Sequence, residues 1–89
     1  MRMELTLQIK NQAGLHARPA AMFAQKCSTF KSNITLLKEG KQANGKSLIN
    51  LMGLSVKKGD TITLKIDGPD AAEAGAALKK IVDEKFGEA

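Results

Sequence analysis

The stretch MELTLQIKNQAGLHARPAAMFAQKCS, residues 3–28, changes its hydrophobic period partway along, and that change decides the fold. Met3, Leu5, Leu7 and Ile9 alternate with Glu4, Thr6 and Gln8, the period-two pattern of a half-buried strand. Asn11-Gln12-Ala13-Gly14 breaks it. From about residue 16 to residue 28, Ala20, Phe23, Ala24 and Cys27 fall at i, i+3, i+4 and i+7, one stripe of an amphipathic helix. Pro19 fits only in a first turn, where its missing N–H costs nothing, so the helix starts close to His16.

Residues 33–38 return to alternation through Ile34 and Leu36, Glu39-Gly40-Lys41 supplies a hairpin turn, and a short partner strand follows over 42–44. Ser47 is a good N-cap and Gly53 a good stop for a helix of one to two turns. Lys57-Lys58-Gly59-Asp60 turns the chain into a strand over 61–66, in which Ile62, Leu64 and Ile66 share a face. Gly68-Pro69-Asp70 opens a last helix with a firm stripe of Leu78, Ile81 and Val82, extended by Ala71, Ala74 and Ala77. Gly75 weakens that helix by about 1 kcal/mol relative to Ala and leaves room for a close contact. The order β-α-β-β-(short α)-β-α, with hairpin turns and one-sided strands, predicts an α+β open-faced β-sandwich. Its expected form is a four-stranded antiparallel sheet with three helices on one face, in a single domain over residues 1–89.

Composition narrows the function classes. A chain of 89 residues with 43% hydrophobic and 26% charged residues is an ordinary globular domain. Size scaling predicts roughly 5,000 Å² of folded surface, with about 63% of the unfolded surface buried. One cysteine makes no internal disulfide, no run approaches the roughly 20 apolar residues of a membrane span, and residues 1–6 alternate like a strand. A cytoplasmic protein is the expectation. The net charge of +5 invites nucleic acid, an anionic membrane or acidic and phosphorylated partners. The lysines are scattered over several segments and the three phenylalanines form no stacking platform, which places a nucleic-acid module last.

Most chemical constellations are absent. One His and one Cys do not make a structural zinc site. Gly40-Lys41-Gln42-Ala43-Asn44-Gly45-Lys46-Ser47 matches the formal G-x-x-x-x-G-K-S pattern, but it follows a hairpin and precedes a short helix, whereas a phosphate loop joins a buried parallel strand to a long helix. Cys27 lies on the helix stripe as a small core residue. His16 is different. Gly14 permits a bend before it, Pro19 stiffens the turn after it, and the N–H groups of Ala17 and Arg18 lack helical partners. Such a helix end attracts anions, Arg18 adds a fork-shaped cation, and the positive helix end favours a neutral, nucleophilic imidazole. The assembly reads as an imidazole that accepts a phosphoryl group and cradles it.

Through Gly14-Leu15-His16-Ala17-Arg18-Pro19-Ala20, Gly45-Lys46-Ser47-Leu48 and the spacing of the elements between them, the chain resembles the HPr family, the histidine-containing phosphocarriers of the phosphoenolpyruvate-dependent sugar phosphotransferase system. The likeness runs essentially end to end. It implies a carrier, itself no enzyme, that accepts a phosphoryl group on Nδ1 of His16 from phospho-enzyme I and passes it to a sugar-specific enzyme IIA. It also implies a phosphate-contacting role for Arg18, beside Ala17, and regulatory phosphorylation at Ser47 by an HPr serine kinase/phosphorylase. No metal or nucleotide cofactor, nucleic-acid partner or membrane insertion is implied. Leu48, Leu51 and Met52, on the short apolar helix, are the candidate docking patch. The alternative is a regulatory HPr-like protein, of the nitrogen-related branch or a serine-phosphorylated regulator, that does not feed sugar uptake. Ala13 stands where family members often carry a polar residue, so the bend before His16 is expected to lack a supporting hydrogen bond.

Overall fold

A computed structural model describes residues 1–88. The elements are β1 (Arg2–Gln8), α1 (Ala17–Ser28), β2 (Asn33–Lys38), β3 (Lys41–Asn44), α2 (Leu48–Gly53), β4 (Thr61–Asp67) and α3 (Ala71–Asp83), with a 3-10 turn at Lys85–Gly87. The strands form one antiparallel sheet in the order β1-β4-β2-β3. The expected open-faced sandwich is therefore present, and its exposed surface of 4958 Å² meets the size-scaling value. The Gly40–Ser47 segment contains the edge strand β3 instead of a phosphate loop.

Register explains why the alternating residues meet. Leu5 lies opposite Leu64, Leu64 opposite Leu36, and Leu36 opposite Ala43, a row crossing all four strands on the helix-covered face. Leu7 faces Ile62 in the next row, and Met3, Ile66 and Ile34 form a third. On the other face Glu4, Thr6, Gln8, Thr61 and Lys65 are exposed. A one-residue slip would exchange the two sets, so burial enforces the register.

Helix α1 buries Ala20, Phe23, Ala24 and Cys27, the stripe expected from spacing, and Pro19 as well. Burial pushes the Cys27 thiol up to about 12, leaving it protonated and inert. In α3 the buried set is Ala71, Ala74, Gly75, Leu78 and Val82, whereas Ile81 and Ala77 are only half-buried. The absence of a side chain at Gly75 lets α3 close on β1: a Cβ there would sit 3.2 Å from Leu5 Cδ1 and 3.3 Å from Met3 Cε. Asp70 precedes α3 without capping it. Its carboxylate instead accepts from the N–H groups of Lys31 (2.8 Å) and Ser32 (3.0 Å), tying the α1–β2 turn to the foot of α3.

Past α3 the chain turns back through Lys85 and Phe86, both left-handed at φ 56° and 55°. The Phe86 ring is fully buried, which outweighs the strain of that conformation and directs Glu88 toward the start of α1. Sequence pattern gave no sign of this return.

Candidate phosphoryl-acceptor site

The bend before α1 is built on Gly14, which has φ +64°; a Cβ there would lie 2.4 Å from the Val56 carbonyl oxygen. That proximity and the left-handed conformation both require glycine. Leu15 then donates its N–H to the same Val56 oxygen at 3.0 Å and buries its side chain, fixing the residue before the histidine. His16 is the N-cap of α1, extended at φ −75°, ψ −174°, and its carbonyl accepts the N–H of Ala20 at 2.9 Å. Among the described residues no side chain caps the helix, and the N–H groups of Ala17 and Arg18, in its first turn, have no intrahelical partner. Pro19, third in the helix, has none to offer.

The bend is not unsupported, contrary to the expectation drawn from Ala13. Asn11, fully buried, supplies the bracing two residues earlier. Its Nδ2 donates to the Gly14 carbonyl at 2.7 Å, and its own carbonyl accepts the Gly14 N–H at 3.2 Å. Asn11 Oδ1 has no partner among the described residues, a cost of about 1–3 kcal/mol that the bonds made by Nδ2 offset.

Glu88 completes the site. Its Oε2 lies 3.1 Å from His16 Nε2 and 3.3 Å from Arg18 Nη1, and its Oε1 accepts from Asn11 Nδ2 at 3.0 Å. The Asn11 hydrogen bond, working against desolvation and joined by His16 and Arg18, holds the Glu88 carboxyl below its usual value. An ionised carboxylate only accepts, so the neutral His16 ring carries its hydrogen on Nε2 and presents a lone pair on Nδ1. Nδ1 has no partner among the described residues. Arg18 spends one of its five N–H donors on Glu88 and keeps others for an anion.

His16, Ala17 and Arg18 thus lie together at the start of α1. Glu88 and Asn11 were missed. Glu88 is 72 residues from His16 along the chain and no local pattern marks it; Asn11 reads in sequence as a simple strand breaker. On α2, Ser47 is the N-cap, its Oγ accepting the Asn50 N–H at 3.2 Å. Leu51 requires correction as a docking residue: it is 0% exposed and belongs to the core, while Ile49, not singled out, is 81% exposed. A helix begun at Ser47 and advancing about 100° per residue places Leu48, Ile49 and Met52 on one side and turns Leu51 inward. Leu48 also lines a groove with Ala21, Ala24 and Gln25 of α1, so the patch borders the helix that carries His16.

An open-faced sandwich presenting its one histidine at a helix N-terminus, beside an arginine, has the architecture of a histidine phosphocarrier. The chain belongs to the family described as PTS HPr component phosphorylation site, which it matches over residues 3–84. It is similar to phosphocarrier protein HPr of Mycoplasma capricolum subsp. capricolum, at 46% identity over 72 residues and 81% of each chain. It is 42% identical over 82 residues to the HPr-like protein Crh of Halalkalibacterium halodurans, covering 92% of this chain and 98% of that one. The crystal structure of HPr-C-His from Thermoanaerobacter tengcongensis superposes with a TM-score of 0.95 at 45% identity, covering 98% of both chains.

Proposed function

We propose that this phosphocarrier of the phosphotransferase system takes its phosphoryl group on Nδ1 of His16, from phospho-enzyme I, and delivers it to an enzyme IIA in the cytoplasm. The observation that supports this reading is the 3.1 Å contact between Glu88 Oε2 and His16 Nε2, which leaves Nδ1 without a partner among the described residues on the residue that opens α1. In the transfer, the Nδ1 lone pair forms a P–N bond as the donor's P–N bond breaks and its electron pair returns to the donor ring. No proton has to leave Nδ1. The Ala17 and Arg18 N–H groups and the free guanidinium donors of Arg18 stabilise the phosphoryl oxygens, so catalysis is by positioning and charge. The chain acts as a covalent intermediate and is not itself the enzyme.

Leu48, Ile49 and Met52, which are 38%, 81% and 45% exposed, form the docking patch for both partners. Ser47 is the regulatory phosphorylation site, for a serine kinase/phosphorylase, at the edge of that patch. The regulatory alternative draws on Ser47 and on the likeness to Crh; the carrier reading is favoured because the whole His16 site is assembled. The test is His16→Ala with phosphoenolpyruvate and enzyme I. The variant is expected to fold and accept nothing. Acid-labile phosphorylation of the variant would overturn the assignment.

A further inference from the structure

We infer that Asn11 is a positioning residue for phosphoryl acceptance, acting through Glu88 to hold the His16 ring with Nδ1 free. The inference rests on the reading of Nδ1 as the acceptor. Asn11 is fully buried in the turn after β1, and the hydrogens of its Nδ2 are divided between the Gly14 carbonyl at 2.7 Å and Glu88 Oε1 at 3.0 Å. Both partners are acceptors. Rotating the amide by half a turn would set Oδ1 against a carbonyl and a carboxylate, so its orientation is fixed even though Oδ1 has no partner among the described residues.

The consequence passes along the carboxylate. Without a partner on either oxygen, a glutamate carboxylate turns readily about its last torsion. With Oε1 pinned by Asn11, Oε2 is directed at His16 Nε2 and Arg18 Nη1. A single buried amide therefore braces the bend that carries His16 and also aims the group that holds its ring. These two attachments lie 3 and 77 residues away in sequence.

The test uses Asn11→Ala, Glu88→Ala and the double variant, in the full chain. Ring nitrogen shifts of unphosphorylated protein, read above the histidine titration range, give the tautomer; enzyme I kinetics give kcat and KM. Asn11→Ala is expected to move the ring from the Nε2–H form toward the mixture of an unrestrained imidazole. It should lower kcat on the order of tenfold with KM for phospho-enzyme I unchanged, because Asn11 is buried away from the partner. In the Glu88→Ala background, Asn11→Ala should leave the tautomer unchanged and lower kcat by less than in the wild type, the remainder being its bond to the Gly14 carbonyl. A lowered melting temperature with unchanged tautomer and kcat would reduce Asn11 to a loop brace, and equal losses in both backgrounds would exclude action through Glu88. If Asn11→Ala does not fold, Glu88→Ala supplies a second reading. One Asn11 side-chain N–H resonance should then shift and exchange faster, and unchanged Asn11 resonances would overturn the inference. The tautomer is measured without phosphate, so its failure is distinct from failure of His16 to accept one.

Discussion

Gly14→Ala tests whether the bend before His16 is as tightly specified as its geometry implies. The native φ is +64°, and the added Cβ would fall 2.4 Å from Val56 O and 2.8 Å from Lys57 Cα, both backbone atoms that do not rotate away. The left-handed conformation costs an L-residue about 1–2 kcal/mol and the overlap about 1–3 kcal/mol more, giving about 2–5 kcal/mol in all. A domain of this length holds about 4–13 kcal/mol of stability, so the loss is large but not always fatal. At about 4–8 °C per kcal/mol, the melting temperature should fall by at least about 8 °C. The displaced Leu15–Val56 hydrogen bond should also move the start of α1 and slow phosphoryl acceptance. Gly53→Ala serves as the control: nothing lies within 4 Å of its Cβ, and it should be stabilising by about 0.4–1 kcal/mol. Thermal unfolding and enzyme I kinetics on both variants decide the matter. A Gly14→Ala protein that melts within about 2 °C of wild type, with wild-type transfer, would refute the reasoning.

Arg18→Ala should still be phosphorylated but transfer slowly, and Arg18→Lys should recover only part of the rate, since a point charge lacks the fork; equal rates for all three proteins would remove the role. Ser47→Asp should melt near wild type while slowing phosphorylation of His16, and Ser47→Ala should transfer normally after losing about 1 kcal/mol with its cap; a wild-type rate for Ser47→Asp would leave Ser47 a cap alone. Hydrogen bonds from Ser32 and the Lys31 N–H hold the Asp70 carboxyl below 3.8, so its contribution to stability is complete above that value and is lost as pH falls through the lower folded value. The melting temperature should therefore drop as the pH falls below 3.8, and Asp70→Asn should flatten that drop; an unchanged acid limb would separate Asp70 from it.

The β1–α1 pair was legible because its two periods are local: alternation through Ile9, then the stripe Ala20, Phe23, Ala24, Cys27. The half of the site built on one helix turn, His16 to Arg18, was legible for the same reason. Glu88 was not, because its position depends on Phe86 finding the core through two left-handed residues, which is a tertiary outcome. Asn11 was hidden behind an ordinary turn composition. Ala13 drew attention to a missing polar group, and the structure supplies that group from two residues earlier. Leu51 was misplaced because four of the six residues of α2 are large and apolar, Leu48, Ile49, Leu51 and Met52, so in so short a helix the pattern does not say which leucine faces inward.

The central claim is that the phosphoryl group resides on Nδ1 of His16. Nitrogen-15-labelled protein, phosphorylated by phosphoenolpyruvate and enzyme I, tests it by the phosphorus–nitrogen coupling of the ring. That coupling is expected on Nδ1, with Nε2 retaining its hydrogen toward Glu88. Coupling on Nε2, or a phosphoryl group found on any other residue, would contradict it.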